Sequence, residues 1–184
     1  RDFCLSRGLG DVYKRQDYNK AYLIQGSIDA ELNQEGIEQA AELREKLQGI
    51  HLDLAFVSPL KRAKETAQII LEGRDIPLIE TECLREEHYG SFEGKSRHGE
   101  DYFAQRSSFA RRYPGGGESY LDVAARVFPF LNMLKEKYPG KDVLLVAHGG
   151  ISRIVNAYFE DDMGNDEFIN YLLDNCEVKR YEFK

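Results

Sequence analysis

An arginine and a histidine each follow a short apolar run in this sequence, and together they could bind a phosphate. Arg62 comes shortly after the run Leu54–Val57, and His148 directly follows the run Val143–Ala147. A guanidinium offers phosphate a planar pair of donors, and backbone N–H groups at Gly149 and a following helix start could approach the same anion. If the two runs are parallel strands, both side chains lie at the sheet edge where such folds bind ligands. The sequence therefore predicts one anion site built from two strand ends.

The hydrophobic pattern alternates between strand and helix along the chain, which predicts the elements that hold this site. It predicts a three-layer α/β/α sandwich with a mostly parallel central sheet in a single domain over residues 17–184. Asn33 and Ser58 are predicted helix N-caps, and Pro129 is expected to kink or divide its helix. Strands are predicted over 54–57, 77–83, 143–147 and 177–183, the last at an edge, and helices over 33–47, 58–71, 101–112, 119–138 and 151–159.

Four motifs, in this order, resemble those of the histidine phosphatase superfamily, which contains phosphoglycerate mutases and many phosphomonoester phosphatases. The resemblance covers residues 17–184 and implies covalent catalysis through a phosphohistidine, with no metal and no cofactor. It implies a small phosphorylated metabolite as the substrate. The motifs are Asp17-Tyr18-Asn19 with Gln25-Gly26, Ser58-Pro59-Leu60-Lys61-Arg62-Ala63, Leu84-Arg85-Glu86-Glu87-His88-Tyr89-Gly90 and Val146-Ala147-His148-Gly149-Gly150.

The resemblance also implies a role for each matching residue. Arg62 would bind the transferred phosphoryl group, and His148 would hydrogen-bond its oxygens as charge builds on them. Glu86 would be the general acid that protonates the leaving oxygen and later activates water. Taken singly, each residue has an ordinary alternative: a solvated helix arginine, a turn histidine and one more charge in a polar loop. The remaining implied substrate-binding residues are Asn19, Gln25, Gly26 and Gly149.

The nucleophile that the resemblance requires is missing. The family opens with a strand that runs into Arg-His-Gly-Glu-Thr, with an Asn six residues after the His; counting back from Asn19 gives Tyr13, with Val12 in the arginine slot. Residues 1–16 carry two glycines and scattered charges instead of a buried apolar run. They are interpreted as a non-native tract, so the first strand is predicted to be absent or non-native. The alternative is a genuine, diverged N terminus, and the chain as written is predicted to be inactive.

The sequence Arg-His-Gly-Glu does occur at residues 97–100, but it is rejected as the nucleophile motif. It follows Gly94-Lys95-Ser96 rather than an apolar strand, and Ala104 stands where the family has its Asn. A motif needs its structural context. The sequence therefore predicts a solvated loop near the mouth of the pocket.

Length, charge and cysteine content restrict the class of protein. The chain has 184 residues, a net charge of −7 and three scattered cysteines. This composition predicts one cytoplasmic globular domain and argues against a general nucleic-acid binder. The sequence contains no apolar run of membrane-spanning length, so no membrane partner is expected. It does not predict the oligomeric state.

The segment 95–117 is predicted to form a short lid beside the acid-bearing loop. Its cations suit anionic substrates, although a solvated helix face explains them equally well. Family mutases generally have larger insertions here, so the short lid favours a phosphatase. Two alternatives stay open: a phosphoglycerate mutase, and a non-catalytic homologue that binds a phosphoryl ligand. The cations are Arg97, Arg106, Arg111 and Arg112.

Overall fold

A computed structural model describes residues 23–183 in full and the backbone of residues 3–7. The described strands form one five-stranded sheet in the order β3-β2-β4-β1-β5. Neighbouring strands are parallel except β1 and β5, which are antiparallel. The strands are β1 Phe3–Arg7, β2 Leu54–Val57, β3 Leu78–Glu80, β4 Val143–Ala147 and β5 Val178–Tyr181.

Helices cover both faces of the sheet. One hydrophobic cluster joins the sheet to α4, α5 and α6, and a second joins it to α1 and α2. This arrangement confirms the predicted α/β/α sandwich with a mostly parallel sheet. The helices are α1 Gln34–Lys46, α2 Lys61–Ile70, α3 Glu100–Arg106, α4 Tyr120–Lys137, α5 Gly149–Phe159 and α6 Asn165–Asn170, with 3₁₀ turns at Glu82–Leu84 and Gly90–Phe92.

The first strand is predicted to be absent or non-native, and a strand is present at this position, so only the second of these alternatives stays open. Phe3 lies opposite Val143 and Arg7 lies opposite Ala147 in the parallel ladder with β4, while the other edge of β1 pairs with β5. Ladder hydrogen bonds are made by backbone groups, which every residue here supplies, and β4 and β5 would otherwise leave theirs unpaired. A tract without a clear apolar pattern can therefore occupy the strand position between β4 and β5. That residues 1–16 are non-native stays a prediction.

Two predicted helix starts have different outcomes. Asn33 caps α1, since its side chain accepts a hydrogen bond of 2.7 Å from the Gly36 N–H. Ser58 does not cap α2, which begins at Lys61. The Ser58 hydroxyl instead contacts a histidine on the neighbouring strand end, a partner that local sequence does not reveal.

Two other helices also differ from what the sequence predicts, one in its extent and one in the effect of its proline. α3 ends at Arg106 rather than near residue 112. At this helix end the Ser107 hydroxyl donates to the Ala104 carbonyl. Serine side chains compete with the helical backbone in this way and favour helix ends. α4 runs unbroken past Pro129, so the helix is not divided there. Its neighbours Val127 and Phe130 are buried in the core, and this packing offsets the hydrogen bond that proline cannot make.

Candidate active site

His148 lies between β4 and α5, at the carboxyl end of the central strands. Its side chain is buried, and its Nε2 atom is 2.6 Å from the Oγ atom of Ser58, directly after β2. The Ser58 backbone N–H donates to the Val146 carbonyl at 3.0 Å, which ties the two strand ends together. The imidazole is therefore held by the neighbouring strand before any ligand binds.

Arg62 lies in the first turn of α2, with only 2% of the residue exposed. Its guanidinium donates to the carbonyls of Ile28, at 2.6 Å, and Gly26, at 2.9 Å. Gly26 has a φ of +54°, and an added Cβ would lie 2.3 Å from the Glu93 carboxylate, so a glycine is needed there. Arg62 and the loop of residues 26–28 therefore hold each other in place beside His148.

Glu86 reaches the same place from the loop after β3. Its Oε1 accepts from the Glu87 N–H at 2.9 Å and its Oε2 from the Gly150 N–H at 3.2 Å. A Cβ at position 150 would lie 2.5 Å from Glu86 Oε1. Glycine at the start of α5 therefore lets the carboxylate approach the helix N-terminus, where backbone donors face it.

These side chains line one cavity of about 100 Å³. The structure brings together six of the seven residues predicted for the site; the seventh, Asn19, lies outside the described residues, as do Val12 and Tyr13. The six are Gln25, Gly26, Arg62, Glu86, His148 and Gly149, and the other lining residues are Ile24, Tyr89, Arg97, Tyr102, Arg106, Gly150, Arg153 and Leu172.

Arg153 is a lining residue that the sequence analysis missed. It lies on α5 one turn beyond Gly149, a spacing that places the two residues on one helix face and was the available signal. Its guanidinium lies 5.5 Å from the ring centroid of Tyr120 and 5.9 Å from that of Phe168. Because Arg153 is buried among these aromatic rings, its positive charge is held at the wall of the cavity.

Glu87, beside the predicted acid, is the most deeply buried carboxyl group of this region. Burial, and to a lesser extent the charge of Glu86, raise its pKa from 4.5 to about 8 against the opposing effect of Arg153. Neither carboxyl oxygen has a well-formed hydrogen bond among the described residues, and the nearby Tyr89 hydroxyl lowers the pKa to a lesser extent. Glu87 is therefore protonated at neutral pH.

The predicted lid contributes two of its four arginines to the cavity. Arg97 lines it and donates through Nε to the Leu23 carbonyl at 2.8 Å, and Arg106 lines it and donates to the Ile169 carbonyl. Arg111 is exposed, and Arg112 pairs with Asp122. Of the rejected second motif, His98 is exposed while its neighbour Arg97 reaches the pocket. The segment thus divides into a half that faces the cavity and a half that does not.

Among the described residues, one group of potential metal ligands is close enough to share an ion. It consists of His51, Asp53 and Asp142, none of which lines the cavity. The Lys141 ammonium donates to Asp53 Oδ1 at 2.7 Å, and this bond holds the pKa of Asp53 near 2. A lysine already supplies the positive charge at this cluster.

Comparison with known proteins agrees with the geometry of the site. A sequence model of the histidine phosphatase superfamily (branch 1) matches residues 15–184. The chain belongs to the histidine phosphatase superfamily. Its relatives in that family include both phosphatases and phosphoglycerate mutases, so this is an enzyme family acting on phosphoryl groups.

Three similar proteins represent these activities. The chain is 38% identical over 179 residues to a 2,3-bisphosphoglycerate-dependent phosphoglycerate mutase of Cytophaga hutchinsonii, covering 92% of this chain and 84% of that protein. It is 37% identical over 147 residues to a metal-independent phosphoserine phosphatase of Arabidopsis thaliana, covering 75% of this chain and 62% of that protein. The solved structure of a mycobacterial glucosyl-3-phosphoglycerate phosphatase with VO3 superimposes on this chain with a TM-score of 0.83 at 28% identity. The match covers 98% of this chain and 92% of the other.

No helix within the described residues is both long enough and apolar enough to cross a lipid bilayer.

Proposed function

We propose that this chain is by family a phosphomonoester phosphatase, of the kind that acts on a small phosphorylated metabolite through a phosphohistidine intermediate, and that it is inactive as written because the nucleophilic His is missing. The observation that supports this most strongly is the convergence of Arg62, Glu86 and His148 on one cavity at the ends of parallel strands. A cation, a carboxyl group and an imidazole in one buried site are what phosphoryl transfer without a metal requires. We further propose a cytoplasmic location, on the scattered cysteines alone.

Each group has a role in the proposed reaction. The nucleophilic imidazole attacks phosphorus, the ester P–O bond breaks, and the Glu86 carboxyl group gives its proton to the leaving oxygen. Arg62 and His148 donate hydrogen bonds to the phosphoryl oxygens as negative charge spreads over them. Glu86, now a carboxylate, takes a proton from water, the water oxygen attacks phosphorus, the P–N bond breaks and inorganic phosphate leaves.

The nucleophile is the part that this chain does not supply as written. Tyr13, which stands six residues before Asn19 in the sequence, has a phenol that stays protonated near neutral pH and is a weak nucleophile. β1 nevertheless ends at Arg7, opposite Ala147, so the chain leaves the sheet beside His148, where a nucleophile would be needed. We propose that the chain binds phosphoryl groups but does not turn them over.

Two other functions have specific support. The mutase of Cytophaga hutchinsonii is similar over nearly the whole chain, which favours phosphoglycerate mutase as the second candidate. The third candidate, which applies if the N terminus is native, is a non-catalytic homologue that binds a phosphoryl ligand. The short lid supports the phosphatase, because only 23 residues (95–117) lie between the acid-bearing loop and Glu118, where family mutases generally have larger insertions.

Repair of the N terminus separates these candidates. Residues 1–16 are replaced by an apolar strand that ends in Arg-His-Gly-Glu-Thr, placed so that its His stands six residues before Asn19. The matched control has Ala in place of that His. We expect the repaired chain to release inorganic phosphate from an aryl phosphate, with a chelator present, and the control to be inactive. Interconversion of phosphoglycerates without phosphate release would establish the mutase, and a folded but inactive repaired chain would favour the binding homologue.

A further inference from the structure

Arg126, on α4, contacts the backbone of the loop that carries Glu86. Its Nη1 atom donates to the Cys83 carbonyl at 2.8 Å, and its Nη2 atom lies 3.4 Å from the Glu86 carbonyl oxygen, at the long end of hydrogen-bond distance. Val123 and Val127, on the same helix, are buried in the core, so the arginine projects from a well-packed element. The guanidinium therefore anchors the backbone from which the proposed general acid projects.

Glu118 ties the same guanidinium to the other end of this loop. Its two carboxylate oxygens accept from Arg126, one from Nε at 2.9 Å and the other from Nη2 at 3.1 Å. The carboxylate also accepts from the His88 N–H at 2.9 Å, and the Glu118 N–H donates to the His88 carbonyl at 2.8 Å. A guanidinium–carboxylate pair with two bonds fixes direction as well as distance. The acid-bearing loop is therefore held on both sides of Glu86.

The position of the Glu86 carboxylate depends on that backbone. Among the described residues it accepts hydrogen bonds from two backbone N–H groups, those of Glu87 at 2.9 Å and Gly150 at 3.2 Å, and from no side chain. The first donor belongs to the loop and the second to α5. A general acid must come within about 2.6–3.2 Å of the atom it protonates, and a misplacement of about 1 Å can cost about a hundredfold in rate. A shift of the loop relative to α5 would therefore misplace the acid.

We propose that Arg126, paired with Glu118, is a positioning residue for the general acid Glu86, which it holds within reach of the leaving oxygen of the substrate. This inference rests on the proposed function, because Glu86 protonates a leaving group only in that reaction. Arg126 does not line the cavity, so it acts through Glu86 and not on the phosphoryl group at Arg62 and His148. Its loss should therefore have the effect of losing the acid and leave anion binding intact.

Amide hydrogen exchange on the chain as written tests the positioning without turnover. In Arg126→Gln the N–H groups of Glu87 and Gly150 should exchange about fivefold faster or more, on the scale of one lost hydrogen bond, while the amides of β4 keep their protection. Calorimetry should show an affinity for inorganic phosphate within about twofold of that of the wild type. Arg112→Gln is the matched control and should change neither, because Arg112 also makes two bonds to a carboxylate of α4, that of Asp122.

A double-mutant cycle in the chain with the repaired N terminus tests the role in catalysis. Arg126→Gln alone should lower the kcat for an alkyl phosphate at least about tenfold with little change in KM, and affect an aryl phosphate with an acidic phenol much less. In a chain that already carries Glu86→Gln, the same substitution should change kcat by no more than about twofold, because the group that Arg126 positions is gone. Glu118→Gln breaks the same pair from its other side and should give the same pattern where Arg126→Gln does not fold.

Two results would overturn the inference and leave the proposed function standing. One is multiplicative losses of kcat in the Arg126→Gln, Glu86→Gln double variant, which would show that the arginine does not act through the acid. The other is faster exchange in β4 to the same extent as at Glu87 and Gly150, which would make the role of Arg126 one of overall stability. A repaired chain that releases no phosphate would overturn the proposed function, and the exchange experiment would still decide whether Arg126 holds Glu86 in place.

Discussion

The Nε2 atom of His148 lies 2.6 Å from the Oγ atom of Ser58, and both residues are buried at the ends of neighbouring strands. The two residues are 90 positions apart in the sequence. A hydrogen bond at one ring nitrogen fixes the orientation of an imidazole and biases its tautomer. Ser58 is therefore a positioning residue for the imidazole that we propose contacts the phosphoryl group.

Ser58→Ala should weaken phosphate binding, because the His148 ring loses this partner and its preferred tautomer. We expect a several-fold loss of affinity by calorimetry, on the scale of one hydrogen bond of about 1 kcal/mol, and a changed ¹⁵N pattern for the His148 ring by NMR. Ser152→Ala is the matched control, because it removes a buried hydroxyl that donates to the Gly149 carbonyl instead. An unchanged His148 spectrum in Ser58→Ala would contradict the positioning role.

Arg62→Ala should abolish most anion binding by the chain as written. The guanidinium is already oriented by two carbonyls, so it binds an anion with little further ordering. Loss of such a charged partner costs about 1.5–3 kcal/mol, which weakens phosphate, sulfate or vanadate binding more than tenfold. Arg74→Ala is the control, since Arg74 also donates to two carbonyls, of Ile50 and Leu47, but lies outside the cavity. Equal losses in both variants would mean that the effect is structural.

Glu86→Gln should cut the turnover of the repaired chain by about a hundredfold or more, the usual contribution of a general acid. Glutamine preserves the size of the side chain but has no acidic proton for the leaving oxygen. Steady-state phosphate release measures the effect. Glu82→Gln, which changes an exposed carboxylate paired with Arg85, should leave turnover unchanged. Since a good leaving group needs little protonation, an aryl phosphate with an acidic phenol should be less affected than an alkyl phosphate.

Glu87 should make the chain less stable as the pH rises from about 4.5 to about 8. Its carboxyl group ionises near 4.5 when unfolded but near 8 in the folded protein, beside Glu86, Arg153, Tyr89 and Glu118. In that window the folded state binds more protons than the unfolded state, so its contribution to the free energy of unfolding falls with rising pH. The contribution levels off above pH 8.

Glu87→Gln should remove that pH dependence. Urea unfolding between pH 5 and 9 should show the variant gaining stability over the wild type as the pH rises to about 8, then a constant difference. Glu136→Gln, at an exposed position on α4, should stay parallel to the wild type. A Glu87→Gln curve that also ran parallel to the wild type would show that the buried carboxyl group titrates normally.

The sequence by itself located the elements whose signals are local. The apolar runs of β2 and β4 predicted buried strands, and both are buried along their whole length. Asn33 predicted the start of α1, because an N-cap acts on N–H groups only two or three residues away. Arg62 comes shortly after β2 and His148 directly after β4, so parallel pairing alone predicts that they meet at one edge.

Only the tertiary structure decided which more distant groups join them. Ser58 has the sequence signature of a helix cap, but contact with His148 on another strand gives its hydroxyl a different partner. Arg106 and Arg112 have similar surroundings in the sequence, yet one lines the cavity and the other pairs with Asp122. Which of two similar side chains is buried depends on how far-separated segments pack, and that packing is not encoded in any local pattern.

The first strand also separates what the sequence shows from what only the tertiary structure decides. Its composition argued against a buried strand, yet the backbone of Phe3–Arg7 pairs with β4 on one edge and β5 on the other. The sequence correctly shows that the tract carries no Arg-His-Gly ahead of Asn19. It cannot show that two strands from the far end of the chain leave unpaired N–H and C=O groups, which any backbone can satisfy.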